Sequence, residues 1–177
     1  MSNDSSLKPQ HIKESALSWL WLSALIMALD LLTKFWVSET LRYNVPVEIF
    51  PVFDLRLLHN TGAAFSFLST AGGWQRWLFA FIALVVSLFI LRWLRETPKN
   101  AKVLASAYTL ILGGALGNLF DRIVHGYVVD FISVHYAGWY FPAFNIADMA
   151  ISCGAALLIF DMLFLAKKRE TSQQQTS

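Results

Sequence analysis

The chain has 177 residues, of which 56% are hydrophobic and 15% charged, and its net charge at neutral pH is +2. This small positive excess, with no basic stripe interleaved with aromatic residues, argues against a nucleic-acid partner. The single cysteine, Cys153, excludes a disulfide within the chain, and its position in an apolar run predicts a small buried side chain.

The hydrophobic residues fall in four long runs, each close to the ~20 residues that cross a bilayer. These runs cover residues 17–37, 74–94, 101–119 and 146–166. The first is long for a secretory signal and contains Asp30 and Lys34, so we interpret it as a retained span. We therefore predict an all-α membrane protein with four transmembrane helices, formed by one domain over residues 1–169 and followed by a disordered polar tail at 170–177.

The distribution of Lys and Arg predicts the direction of the spans. Nine of the fourteen basic residues lie in the N-terminal tail, the short link between the second and third runs, and the C-terminal tail. Both termini are therefore expected on the cytoplasmic side, and the two longer loops on the outer side. In the first of these loops, alternation over 53–57 predicts a small β element, and residues 59–62 predict a turn.

Ionisable and amide side chains occur in or beside the runs, where a charge costs roughly 2.5–3.5 kcal/mol at a helix centre. Asp30 and Lys34 are four residues apart, so we expect an ion pair in which the lysine extends toward the interface. Asn118 and Arg122 have the same spacing, and both are expected to point inward. Nearly all these residues fall at the outer ends of their spans, which predicts one outward-facing polar site.

Glycines in the third run predict close helix contacts. Gly113 and Gly117 form a small-xxx-small face, while Gly114 shares a face with Asn118. Packing and a role in a site explain these glycines equally well.

Two aspartates in the second half of the chain are candidate catalytic residues. Asp130 lies between apolar β-formers, and Asp148 follows Asn145 by three residues, the spacing of a capping box. Each alone is explained as a turn or capping residue. Two carboxylates in a partly dry site share a proton, however, and such a pair can activate water and protonate a leaving amine. The sequence does not decide which aspartate carries the proton.

Histidine-based catalysis is less well supported. His59, His125 and His135 fall on the predicted outer side, but neither a Gly-x-Ser-x-Gly elbow nor a His-Glu-x-x-His motif accompanies them. We interpret them as solvated loop residues.

Five ordered segments resemble the bacterial lipoprotein signal peptidase (signal peptidase II) family. They are DLLTK at 30–34, NTGAAFS at 60–66, GGALGNLFDR at 113–122, VVDF at 128–131 and FNIAD at 144–148. Each segment is short, but five in this order, reaching from the first run to the fourth, form a specific pattern.

The resemblance implies an aspartyl endopeptidase of the bacterial inner membrane, with its active site facing the periplasm. The implied substrates are diacylglyceryl-modified prolipoproteins, cut just before the lipidated cysteine, and no metal or cofactor is implied. Asp130 and Asp148 match the catalytic pair. The matched positions that line or support the site are Asp30, Lys34, Asn60, Gly62, Gly114, Asn118, Arg122, Asn145 and Ala147. Membrane lipid is the expected surrounding, and a monomer the expected state, although the glycine face would also suit packing between monomers.

Two other classes of protein stay open at this point. A small proton-coupled transporter or channel subunit also needs intramembrane acids and bases, but it predicts polar groups spread through the membrane or broken helices at the midplane. A binding protein would present the same outer groove to a lipidated peptide without cutting it.

Overall fold

The computed structural model describes residues 14–62 and 73–166, and its main feature is a bundle of four helices. A short 3-10 helix at Ala16–Trp19 leads into the first. The helices are α1 (Leu20–Thr40), α2 (Trp74–Glu96), α3 (Lys102–Val124) and α4 (Ile146–Phe164). All four are long and apolar enough to cross a membrane, which confirms the four predicted spans.

The helix bounds differ from the predicted runs mainly at the third span. α3 continues to Val124, five residues beyond the predicted run, so the helix includes Asp121 and Arg122. The predicted polar tail at 170–177 and the basic residues of both terminal tails lie outside the described residues.

α3 is the central helix, and small residues let its neighbours approach. A methyl group on Gly113 would lie 2.8 Å from the carbonyl oxygen of Ser23 in α1. A methyl group on Gly114 would collide with the carbonyl oxygen of Ala147 in α4, and Gly154 makes the same kind of approach from α4. α3 runs parallel to α1, because Ser23 contacts Thr109 and Lys34 contacts Asn118 further along both helices. It runs antiparallel to α4, because Gly114 approaches Ala147 and Ala107 approaches Gly154.

A four-stranded antiparallel sheet caps one end of the bundle, in the order β1-β2-β3-β4. The strands are β1 (Val47–Phe50), β2 (Phe53–Asn60), β3 (Val128–Tyr136) and β4 (Trp139–Tyr140). The predicted β element in the first long loop is confirmed. The turn predicted at 59–62 is partly wrong, because His59 and Asn60 are still paired to β3 and only Thr61 and Gly62 form the bend.

An apolar cluster fixes the sheet to the end of α1. Val129 and Phe131 of β3 pack with Leu57 of β2 and Val37 of α1. Successive side chains of a strand point to opposite faces, so the packing of Val129 and Phe131 turns Asp130 to the other face. Asp130 thereby lies on the face that meets Asn145, the residue before α4.

Cys153 is exposed on the surface of α4, so its predicted burial within the protein is wrong. It lies midway along an apolar helix whose outer face is available to lipid. The mistake arises because a lipid-facing surface and a protein core select the same small apolar side chains.

We expect Gly114→Ala to lower the thermal midpoint of the purified protein in detergent. The added methyl group has to push α3 away from the Ala147 carbonyl, and overpacking of this kind costs about 1–3 kcal/mol. Ser106→Ala, on the same helix and only partly buried, is the matched control. An unchanged midpoint in Gly114→Ala would contradict the packing described above.

Candidate active site

Asp130 is the third residue of β3 and is 3% exposed. Asn60, the last residue of β2, is paired with Val128, which makes it a diagonal neighbour of Asp130 on the same sheet face. Its Nδ2 donates a hydrogen bond to Asp130 Oδ2 at 2.9 Å. The backbone N–H of Gly62 donates to Asn60 Oδ1 at 2.9 Å, and because Gly62 has φ +109°, only glycine adopts this turn without strain.

Asn145 connects the two aspartates. The carbonyl of Phe144 accepts hydrogen bonds from two backbone N–H groups of β3, which holds the chain before α4 against the strand. Asn145 Nδ2 then donates to Asp130 Oδ1 at 2.7 Å, while its Oδ1 accepts the N–H of Asp148 at 2.9 Å. The predicted capping box of Asn145 and Asp148 is confirmed, and the same amide that caps α4 also contacts Asp130.

A buried lysine organises the side of the site that faces the helices. Lys34 Nζ lies 2.7 Å from Asp30, 3.0 Å from Asp121 and 3.0 Å from Asn118 Oδ1. Because an ammonium group only donates, Asn118 has to turn its oxygen toward Lys34 and its NH₂ away. That NH₂ donates to Asp148 Oδ1 at 2.8 Å, so the lysine fixes the direction of a hydrogen bond to the candidate catalytic carboxyl.

The ion pair between Asp30 and Lys34 is confirmed, but the expectation that Lys34 extends toward the interface is wrong. Lys34 is only 3% exposed, because three oxygen partners hold it inside the protein. Asp30 lies near the middle of α1, where its Oδ1 accepts the N–H of Ala147 in the first turn of α4 at 2.9 Å. A methyl group on Gly117 would lie 2.5 Å from Asp30 Oδ2, so this glycine makes room for the carboxylate.

Arg122 supplies the second cation at the site. Its Nη1 donates to the carbonyl oxygen of Asn118 at 3.1 Å, and its guanidinium lies over the ring of Phe79, 5.3 Å from the centroid. The positive charge is close enough to Asp148 and Asp130 to interact electrostatically with both. It therefore offsets part of the negative charge around the two aspartates.

Burial raises the pKa of the Asp130 carboxyl to about 7, and the negative charge of Asp148 adds to this rise. Hydrogen bonds from Asn60 and Asn145 and the positive charge of Lys34 act in the opposite direction but are smaller than the effect of burial. Asp130 can consequently hold a proton near neutral pH. A carboxyl that gains and loses a proton in this range is suited to acid–base chemistry.

Sequence reasoning did not single out Asp121, which the structure places in the same cluster. Its Oδ2 contacts Lys34 and accepts the backbone N–H of Val129 at 3.1 Å, so it connects α3 to the strand that carries Asp130. The available signal was its spacing of three residues from Asn118 on a helix face. Within the described ranges, no three His, Cys, Asp or Glu side chains lie together so that they could hold a metal ion.

The interpretation of the three outer histidines as solvated loop residues agrees with His125, which is exposed in the turn after α3, but the loop placement is wrong for His59 and His135, which lie in strands. His59 is on β2 and stacks on Tyr127, with 3.9 Å between ring centroids. His135 is on β3, where its Nε2 lies 3.2 Å from Asp54 Oδ2, and His125 lies at the end of α3, 3.5 Å from Asp121.

We expect Lys34→Met to destabilise the protein by about 3–5 kcal/mol, since it leaves two buried carboxylates without their cation. The thermal midpoint in detergent measures this loss. Lys99→Met removes the lysine of an exposed ion pair with Glu14 and is expected to leave the midpoint nearly unchanged. Equal midpoints for the two variants would show that Lys34 does not organise the site.

The fold and the site together define a polytopic membrane protein with a built cluster of carboxylates, amides and cations at one end of a helix bundle. The family model described as signal peptidase (SPase) II matches residues 22–164 of this chain. The chain therefore belongs to the signal peptidase II family, which confirms the resemblance seen in the sequence. It is a multi-pass membrane protein of a bacterial peptidase family.

Individual relatives agree with this assignment. The chain is 56% identical over 153 residues to the lipoprotein signal peptidase of Acinetobacter baumannii, a match that covers 86% of this chain and 87% of the relative. It is 52% identical over 150 residues to that of Alteromonas mediterranea, with 85% and 82% covered. A bacterial membrane enzyme solved in meso at 1.9 Å is 27% identical with a TM-score of 0.74, and the match covers 88% of this chain and all of that one.

Proposed function

We propose that this protein is an aspartyl endopeptidase that removes the signal peptide from diacylglyceryl-modified prolipoproteins. Cleavage falls just before the lipidated cysteine. The observation that carries the proposal is that the carboxyls of Asp130 and Asp148, from a strand and a helix, both bind Asn145. Asp130 Oδ1 accepts from the side-chain Nδ2 of Asn145, and Asp148 Oδ2 accepts from its backbone N–H. Relatives of the same family that are about half identical to this chain are described as lipoprotein signal peptidases, which supports the substrate class.

The two carboxyls take different roles in the mechanism. Asp130 begins protonated, consistent with its raised pKa, and donates to the oxygen of the scissile carbonyl. Asp148 begins as a carboxylate and takes a proton from a water molecule, whose oxygen bonds to the carbonyl carbon. Asp148 then passes this proton to the amide nitrogen, the C–N bond breaks, and Asp130 recovers its own proton as the new carboxyl group forms.

The surrounding amides and cations position these groups. Asn118 and Asn145 hold the carboxyls in place through the hydrogen bonds described above, and Arg122 stabilises the negative charge that develops near the dyad. Asn60 orients Asp130 from the sheet side, and Asn60 and Gly62 of the first outer loop would cover the bound peptide. The reaction uses no metal or cofactor in this scheme.

The proposal places the site at the periplasmic face of the inner membrane and both termini in the cytoplasm. The excess of Lys and Arg in the terminal tails and the link between α2 and α3 supports this direction. The linked polar side chains gather at the sheet end of the bundle, whereas a transporter is expected to carry them across its whole depth. Asp161, buried near the other end of α4, lies apart from this cluster.

We expect Asp130→Asn and Asp148→Asn each to abolish cleavage of a diacylglyceryl-modified prolipoprotein by the purified protein in detergent. An amide neither takes a proton from water nor donates one as an acid, so the loss should be at least ~10³-fold. Asp54→Asn is the matched control, because Asp54 is also a buried aspartate of the sheet but contacts His135 and not the dyad.

Cleavage retained by either dyad variant would disprove the mechanism. If the folded wild-type protein also fails to cut a precursor that a relative cuts, the peptidase assignment itself fails. Proton-linked flux in liposomes would then favour a transporter, and binding of the precursor without turnover would favour a binding protein.

We expect cleavage to decline as the pH rises through about 7. The mechanism needs protonated Asp130, whose raised pKa means that the proton is present below this pH and lost above it. The measurement is kcat/KM between about pH 5.5 and 9. Asn60→Ala removes a hydrogen bond that lowers the pKa of Asp130, so its residual activity should decline at a higher pH than that of the wild type. A pH-independent rate over this interval would contradict the assigned roles.

A further inference from the structure

A cavity lies beside the beginning of α2, at the same end of the bundle as the sheet. Its volume is about 410 Å³. The residues that line it are Thr61, Gly73, Trp74, Arg76, Trp77 and Gly126. They are different from the residues that contact Asp130 and Asp148, so the cavity is a neighbour of the candidate active site and not a part of it.

Arg76 is held at this cavity in a fixed orientation. Its Nη2 donates to the carbonyl oxygen of Ile123 at 2.9 Å, and its guanidinium carbon lies 4.7 Å from the ring centroid of Trp77. A methyl group on Gly126 would lie 3.0 Å from Arg76 Nη1, and Gly126 has φ +89°, so glycine provides both the turn and the space for the guanidinium. These contacts hold the positively charged guanidinium of Arg76 in one position at the cavity.

The cavity has an unneutralised positive charge. Within residues 14–62 and 73–166, Arg76 has no ion-pair partner, its buried Nε has no hydrogen-bond partner, and the first turn of α2 has no acidic residue. A planar guanidinium with remaining N–H groups is suited to a phosphate group, whose oxygens accept several hydrogen bonds at once.

The surroundings indicate that the phosphate belongs to a lipid. Trp74 and Trp77 at the mouth are 51% and 62% exposed, and tryptophan is enriched at the level of lipid headgroups. Below them, exposed apolar side chains continue along the same face of α2 at helical spacing, through Phe81, Leu84 and Leu88. A lipid with its headgroup in the cavity would lay its acyl chains along this face.

We propose that the Arg76 cavity binds the phosphate of an anionic phospholipid from the leaflet at the sheet end of the bundle. The bound lipid would hold the beginning of α2 next to Thr61, the residue that follows Asn60, and would thus stabilise the edge of the candidate active site. This inference does not depend on the proposed peptidase activity, because binding is measured without turnover.

The test is the shift in thermal midpoint of the full-length protein in detergent on titration with dioleoylphosphatidylglycerol. Dioleoylglycerol, which lacks the phosphate, and inorganic phosphate, which lacks the chains, are the matched ligands. We expect only the phospholipid to raise the midpoint. Arg76→Gln should lose this shift, whereas Arg92→Gln, which removes an exposed arginine at the other end of α2, should keep it.

Arg76→Gln also loses the hydrogen bond to Ile123, which can lower the thermal midpoint without lipid. The comparison with the wild type therefore uses the change in midpoint on adding lipid. Arg76→Lys keeps the charge without the planar fork and should need about tenfold more phospholipid for the same shift. The proposal is overturned if Arg76→Gln shifts as the wild type does, if Arg76→Lys needs no more lipid than the wild type, or if dioleoylglycerol or inorganic phosphate alone reproduces the wild-type shift.

Discussion

The contacts of the buried Lys34 ammonium are the constraint on which the rest of the site depends. It joins α1 to α3 through Asp121 and Asn118, and Asp121 in turn binds the backbone of β3. Because the lysine only donates, it fixes which end of the Asn118 amide faces Asp148. A single positive charge therefore sets the spacing of three elements and the direction of the hydrogen bond to one carboxyl.

The sheet supplies the complementary half of the site. A backbone N–H of the turn after β2 orients Asn60, whose amide binds Asp130 from the side opposite to Asn145. Both carboxyls thus receive hydrogen bonds from groups whose own orientation is fixed by a further partner. This arrangement keeps the carboxyl positions constant while leaving a proton free to pass between carboxyl and substrate, as electrostatic preorganisation requires.

Local sequence patterns were enough to predict several features of the structure. The features that were missed depend on contacts between residues far apart in the sequence. The four spans, the ion pair of Asp30 with Lys34 and the capping box at Asn145 each depend on spacing within one helix. The depth of Lys34 was missed because its burial depends on Asp121, 87 residues away in sequence. The position of Asp130 within a strand was missed as well, because that strand forms by pairing with β2, and the helices α2 and α3 lie between the two strands in sequence.

The bond between Asp30 and the first turn of α4 has a consequence for how the protein is made. When α1 enters the membrane during synthesis, its aspartate and lysine have only each other, at a cost of roughly 2.5–3.5 kcal/mol per charged residue at mid-membrane. Their remaining partners arrive with α3 and, last of all, with the Ala147 N–H. The bundle can close only after the final span has been delivered, so a chain truncated before α4 would expose an incompletely paired charge cluster to cellular quality control.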